Sequence, residues 1–434
     1  MSRAIRIHAV RTRRLVMSLG SGLALVLAST MVSSPASATS DVQGDGLQYV
    51  ALGDSYSAGF GLTPYSTSDP ADGCYQAEKD YPHLVAAELG LRLTDATCSN
   101  AVTANITTTA QNTGVNGGIA PIQTDALNAD TDIVTVTIGG NDLGFSAIAA
   151  SCLALAAGGP LMLYQYANDC KQFYQLGGND VLEAMIATVV TPALAKTYKA
   201  IAEKAPNAKV FVVGYPAVAP DAANTPENGC FASAIGNGLP PYPENSYPFT
   251  NVDVPYLHTI ESALDTAISQ QAALAGATFI PTISQTVAHT PCAPQGEAYM
   301  SGITFKEGSV VSLPAGQVPP PVPPTAAGQD ALGQLATYLK IGALHPNAAG
   351  VAFLKEQVAT AILDAFPELQ PQPSPAESPV AVVPPGSVVP AGSAAAPTLA
   401  ASGSDLSGGL ALAGLLLVLG AAAVGLRRRV RVRR

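Results

Sequence analysis

The 434-residue chain contains no tryptophan and only five histidines, and charged residues make up just 12% of it. Hydrophobic residues account for 48%, enough for a large core. The apolar runs in the middle of the chain are short, which excludes a polytopic membrane protein. No C-x-x-C spacing occurs, so a zinc ribbon or finger is excluded and no metal or cofactor is implied. No solenoid-type repeat is present. Basic residues are scarce away from the ends. Eleven of the 21 lie before Ala38 or after Leu426, and residues 39–403 carry ten against 30 acidic ones. That region has a net charge near −20, which repels nucleic acid and suits neutral or cationic substrates.

Both ends read as processing segments. Arg3, Arg6, Arg11, Arg13 and Arg14 precede an apolar stretch and then "SPASA". This is the charged, apolar and A-x-A order of a signal peptide over residues 1–38, cleaved after Ala38. At the other end, the uncharged span Leu410–Leu426 meets "RRRVRVRR". The basic tail would stay cytoplasmic under the positive-inside rule. Leu399-Ala400-Ala401-Ser402-Gly403, ahead of that span, resembles a Gram-positive cell-wall sorting signal of the LAxTG type, with serine in place of threonine. It implies sortase and the cell wall as partners. The competing expectation is a plain membrane anchor over residues 405–434. Residues 367–404, rich in Pro, Ala, Ser and Val, read as an extended stalk. Either way the main domain, residues 39–366, is expected outside the cell.

Export bears on the cysteines. All six (Cys74, Cys98, Cys152, Cys170, Cys230 and Cys292) lie in that domain. An even count in an exported chain favours disulfides, and six cysteines allow 15 pairings. Sequential pairing, 74–98, 152–170 and 230–292, closes local loops and is the expected set.

Along the domain, strand-like and helix-like patterns alternate. Residues 47–53, 131–138, 209–216 and 278–284 read as buried strands. Helical spacing covers 81–91, one or two helices from Val181 that break near Pro192, a long helix over 254–277 and a last one over 347–366. Such alternation predicts an α/β domain with a parallel sheet covered on both faces and right-handed crossovers. Two segments interrupt it. Residues 217–252 are rich in Pro, Asn, Gly and Tyr, and residues 300–335 include "VPPPVPP". Long loops in a compact domain often act as lids or insertions.

"YVALGDSYSAGFG", residues 49–61, places Ser55 just after the first strand. A serine hydroxyl is a poor nucleophile until a base takes its proton. The candidates are His8, His83, His258, His289 and His345. His8 lies in the leader, and His83 and His258 sit in helical patterns. His289 lies in a loop beside Cys292. His345 stands in "LHPNAAG", where Pro346 presets the start of the last helix. Position alone favours His345 without settling it. "GGND", Gly139 to Asp142, directly follows the strand 131–138, and the Asn141 amide can donate to a developing oxyanion. The same tetrapeptide at Gly177–Asp180 follows no buried strand and reads as a turn capping the helix from Val181. "CSNAV", Cys98 to Val102, offers a further backbone N–H.

Together these blocks resemble the SGNH/GDSL hydrolase family over roughly residues 47–366, and the secreted actinobacterial lipases and esterases in particular. The resemblance implies a flavodoxin-like three-layer α/β/α sandwich with its site at the C-terminal ends of the strands. It implies three local disulfides, Ser55 as nucleophile and His345 as general base. It assigns the oxyanion hole to the Ser55 N–H, the Asn100 N–H and the Asn141 side chain. Two positions depart from the family pattern. Asn100 stands where glycine is usual, bringing a side chain that crowds the hole. Gly342 stands where an aspartate three residues before the histidine is common, so the expected orienting group is the Gly342 carbonyl and the unit a Ser-His dyad. The implied activity is hydrolysis of small-molecule or lipid carboxylic esters by a monomer without cofactor. The alternative is a non-catalytic surface binding or adhesion protein on the same scaffold.

Overall fold

The computed structural model describes residues 46–67, 69–163, 167–235, 241–306 and 339–370. The expected signal peptide, most of the stalk, the C-terminal span and most of the proline-rich segment 300–335 lie outside the described residues. The chain divides after Gln372, and only the first unit contains described residues.

Five parallel strands form the central sheet: β1 (Gln48–Gly53), β2 (Arg92–Asp95), β3 (Ile133–Thr137), β4 (Lys209–Val213) and β5 (Thr278–Ile280). Their order is β2-β1-β3-β4-β5, all neighbours parallel. This is the flavodoxin-like winding, with a topological switch point between β1 and β3. There Gly53 pairs with Thr137, so the two strands end side by side. The loops carrying Ser55 and Asn141 leave the sheet together.

Four longer helices flank the sheet: α1 (Tyr81–Leu89), α2 (Thr191–Lys204), α3 (Asp253–Leu274) and α4 (Ala348–Ala365). Alternation along the strands decides which face each side chain joins. Val50, Leu52, Val134, Val136 and Val212 belong to one apolar cluster with Leu194 and Ile201 of α2 and Ile260, Leu264 and Ile268 of α3. Tyr49, Ala51, Ile133, Phe211 and Val213 join the other, with Val85 of α1 and Val351, Leu354, Val358 and Ile362 of α4. The result is the three-layer sandwich that the sequence predicts. The turn Pro367–Leu369 still packs on this second cluster through Leu369, so the folded unit runs slightly past Phe366.

Two details depart from the expectation. β2 was not foreseen. It is a short edge strand whose residues are half-buried or exposed, so no apolar run marks it. The break near Pro192 is a π-helical turn over Ile186–Val190 joined to α2 without interruption. Proline has no N–H to donate. The Ile186 carbonyl instead accepts from both the N–H and the Oγ1 of Thr191.

The disulfides are Cys74–Cys98, Cys152–Cys170 and Cys230–Cys292, the sequential set. The first ties down the loop after β2. Cys98 donates its N–H to the Gly53 carbonyl at 3.1 Å, which brings that loop across the end of β1.

Core packing sets the stability. Leu354, 1% exposed in the α4 layer, should cost about 3 kcal/mol when cut to alanine. The Tyr198 hydroxyl on α2 is buried with no hydrogen-bond partner among the described residues. Tyr198→Phe should therefore leave stability unchanged or raise it by about 1 kcal/mol. Denaturant midpoints measure both, and a loss above about 1 kcal/mol in Tyr198→Phe would contradict the orphan hydroxyl.

Candidate active site

Ser55 sits on the turn leaving β1. Gly53 makes the turn possible: its φ is +139°, and a Cβ there would lie 2.6 Å from the Thr137 carbonyl oxygen. The Gln123 side chain clamps the same glycine, accepting from its N–H at 2.7 Å and donating to its carbonyl at 2.9 Å. Ser55 is 7% exposed, and its Oγ lies 2.8 Å from Nε2 of His345. The pair that the sequence favoured is thus brought together. His83, His258 and His289 contact Asp80, the Ala219 carbonyl and the Glu297 carbonyl instead.

His345 reaches Ser55 from a tight turn ahead of α4. Asn347 caps that helix, accepting from the N–H groups of Ala349 and Gly350 at 2.9 and 3.1 Å. The imidazole Nδ1 lies 2.8 Å from the Ala343 carbonyl oxygen. That corrects the expected orienter. The Gly342 carbonyl instead accepts the backbone N–H of His345 at 3.1 Å, so it closes the turn and cannot steer the ring. Gly342 has a different task. Its φ is +90°, and a Cβ would come within 2.8 Å of the Gly61 Cα. Gly61 and Gly342 pass backbone to backbone, and no side chain fits between them.

The ring is also held by its neighbours. Its centroid lies 4.9 Å from that of Tyr56 and 5.1 Å from that of Phe60. Tyr56 donates its hydroxyl to the Leu344 carbonyl at 2.8 Å. Leu344 adopts φ +58°, an uncommon conformation for a bulky residue. Burial pushes the His345 pKa down to about 4, only partly opposed by the Ala343 carbonyl. A neutral imidazole with Nδ1–H on a carbonyl presents a free lone pair at Nε2. That is the tautomer able to take the Ser55 proton.

Asn141 and Asn100 come from neighbouring loops. Asn141 Nδ2 donates one hydrogen to the Ala101 carbonyl at 3.0 Å, which fixes the amide and leaves the second hydrogen for a cavity ligand. Asp142 accepts from the N–H of Thr103 at 3.0 Å and from its hydroxyl, zipping the two loops together. Asn100 adopts φ +67°, in the left-handed region that asparagine tolerates well. Among the described residues, the backbone N–H groups of Ser55 and Asn100 have no acceptor. Ser55, Asn100, Asn141 and His345 all line one cavity of about 490 Å³. Its walls include Phe145, Leu153, Val218, Leu264, Ile303 and Leu339, the apolar lining expected of a small-molecule site.

Sequence reasoning overlooked a buried polar bridge beneath the site. Asp54 accepts from the Tyr56 N–H at 3.0 Å and from the Tyr215 hydroxyl, which in turn accepts from the Gly140 N–H at 3.0 Å. Burial raises the Asp54 pKa to about 7, against those hydrogen bonds. Tyr215 follows β4, so its place at the carboxyl end of a sheet strand was the available signal. Glu261 of α3 also lines the cavity. Burial pushes its pKa up to about 8, against the N–H groups of Ala219 and Val218.

Comparison with known proteins matches residues 51–353 to the family described as GDSL-like Lipase/Acylhydrolase. Lipase 2 of Streptomyces coelicolor is 35% identical over 305 residues, 69% of this chain and 86% of that protein. An esterase of Streptomyces scabiei is 30% identical over 292 residues, 63% of this chain and 79% of its own. Among solved structures, an extracellular lipase from Streptomyces rimosus aligns with 73% of this chain and 99% of its own. Its identity is 23% and its TM-score 0.47.

The depressed His345 pKa has a kinetic consequence. Above about pH 4 the imidazole is neutral and can activate Ser55; below it, protonation removes the base. The rate of Ser55 modification by a fluorophosphonate should hold from neutral pH to about 5 and fall as pH drops through about 4. A midpoint near the ordinary histidine value, with activity recovered on return to neutral pH, would contradict the buried neutral ring.

Proposed function

The chain belongs to the GDSL-like lipase/acylhydrolase family and is a carboxylic ester hydrolase, and we propose that it works through an acyl-enzyme on Ser55. The observation that carries this reading is the 2.8 Å contact between Ser55 Oγ and His345 Nε2. In the first half-reaction His345 takes the Ser55 proton as Oγ attacks the ester carbonyl carbon. The carbonyl oxygen becomes an oxyanion, met by the N–H groups of Ser55 and Asn100 and by the Asn141 amide. Collapse expels the alcohol, which receives the proton from His345. In the second half-reaction water attacks the acyl-serine, its proton again passing through His345. The Ala343 carbonyl holds Nδ1–H throughout. The apolar cavity walls suit an acyl chain.

Ser55→Ala should lower kcat for p-nitrophenyl esters by at least about a thousandfold, in line with loss of a serine nucleophile. Asn141→Ala should lower it by about a hundredfold with little change in KM, as expected of a donor used in the transition state. Full activity in Ser55→Ala would sink the assignment. A folded parent protein with no activity and no fluorophosphonate labelling would favour the adhesion reading.

Export is part of the proposal. It rests on the leader-like residues 1–38 and on three disulfides, which persist in oxidising compartments. We read the Pro/Ala/Ser/Val-rich segment that follows the turn Pro367–Leu369, up to about residue 404, as a stalk and the C-terminal segment as the attachment to the cell surface. If "LAASG" is processed by sortase, the wall-bound form ends at Ser402. Mass spectrometry finding the intact basic tail on the surface-bound protein would replace wall linkage with a membrane anchor.

A further inference from the structure

Asp80, His83 and Asp95 form a second polar cluster, and none of the three lines the cavity. Asp80 caps α1, its Oδ1 accepting the His83 N–H at 2.8 Å and lying 2.8 Å from His83 Nδ1. Asp95 ends β2. Its Oδ1 accepts the Thr97 N–H at 2.9 Å, and its Oδ2 lies 3.6 Å from His83 Nδ1. One ligand atom from each residue falls within 4.8 Å of the others.

Two observations point to a cationic ligand for them. The Asp80 side chain is wholly buried and that of Asp95 is 6% exposed. Yet Asp80 Oδ2 and Asp95 Oδ2 have no hydrogen-bond partner among the described residues. Burying two carboxylates costs heavily unless they are paired. Only His83 pairs with them among the described residues; no lysine or arginine does.

We propose that Asp80, His83 and Asp95 bind a divalent cation of the zinc class, as a structural site fastening α1 to β2. The donor set of one imidazole nitrogen and two carboxylate oxygens suits a first-row transition ion. Tetrahedral bonds of roughly 2.0–2.2 Å put ligand atoms about 3.3–3.5 Å apart. The observed 2.8 and 3.6 Å bracket that spacing, so small side-chain shifts suffice. His83 is 32% exposed and leaves an entry path on its side, where water can take the fourth position. The cation would neutralise both carboxylates. It would also brace the turn after Ser55, because Asp80 packs against Gly59 and the Ala77 N–H donates to the Ala58 carbonyl at 2.8 Å. The ligands come from two segments that meet only in the fold, so no linear spacing advertises them.

The test uses the full chain, stripped with a chelator and titrated with Zn²⁺ by calorimetry, with thermal unfolding followed in parallel. The expected result is a bound equivalent that raises Tm and is lost in Asp95→Asn and in His83→Ala. Asp130→Asn, at an exposed loop carboxylate, should keep it. His83 is half-exposed, so His83→Ala remains informative even if Asp95→Asn fails to fold. Equal Zn²⁺ stoichiometry in the parent and His83→Ala, or no change of Tm with Zn²⁺, overturns the proposal and leaves two carboxyls sharing a proton. A Tm shift with Ca²⁺ but not Zn²⁺ overturns the assigned class.

Discussion

Ser55 and His345 lie 290 positions apart in sequence and 2.8 Å apart in space. That contact is the constraint on which the rest of the site depends. A nucleophile–base hydrogen bond tolerates little displacement, since a shift of about 1 Å can cost two orders of magnitude in rate. The fold meets the requirement with backbone as much as with side chains. The turn after β1 and the turn before α4 cross at Gly61 and Gly342, where a Cβ on Gly61 would lie 2.4 Å from the Gly342 Cα. Tyr56, next to Ser55, reaches back to the carbonyl of Leu344, next to His345. Each turn therefore registers the other, and the strained φ of Leu344 is held by both.

Orientation by a carbonyl has an electrostatic cost and a compensation. A carboxylate stabilises the imidazolium that forms as the serine proton moves. The Ala343 carbonyl is a dipole and would do so less strongly, so the proposed Ser55–His345 dyad would give up some transition-state stabilisation. Burial keeps the ring neutral far below its usual pKa, so the base is almost wholly unprotonated at neutral pH. Proton affinity and availability trade against each other. Asp54 cannot substitute for the missing acid, because its oxygens are committed to Tyr56 and Tyr215. Its role is to join the end of β1 to the Gly140 loop through the Tyr215 hydroxyl.

The layered fold was legible because buried parallel strands carry continuous apolar runs and helices carry their own period. β2 escaped because an edge strand buries too little to need such a run. Ser55, Asn141 and His345 were legible from glycine-rich or proline-marked junctions beside predicted elements. The second "GGND" shows why placement mattered: Asp180 accepts from the N–H groups of Leu182 and Glu183 to start a helix, and it does not line the cavity. Ala343 was not legible. Which carbonyl meets Nδ1 depends on the left-handed turn at Leu344, and a leucine gives no warning of positive φ. Tyr215 and Gln123 were hidden for a related reason. Their partners, Asp54 and the Gly140 N–H for Tyr215 and the Gly53 backbone for Gln123, lie far away in the chain and leave no pattern in it.

Asn100 departs from the family pattern yet keeps the backbone geometry that the proposed hole requires. The hole needs a backbone N–H at this point, and glycine is the usual residue because the chain there is left-handed. Asparagine is among the few other residues that accept φ near +67°. The residue is exposed at the cavity lining, and among the described residues no hydrogen bond ties its side chain to the other donors. The N–H itself is positioned by its surroundings: the Cys74–Cys98 bridge on one side, and on the other the Ala101 carbonyl held by Asn141. The same Asn141 amide that would meet the oxyanion thus also sets the loop supplying its neighbouring donor. Two of the three donors are mechanically one unit, and that unit, more than the identity of residue 100, is what the geometry preserves.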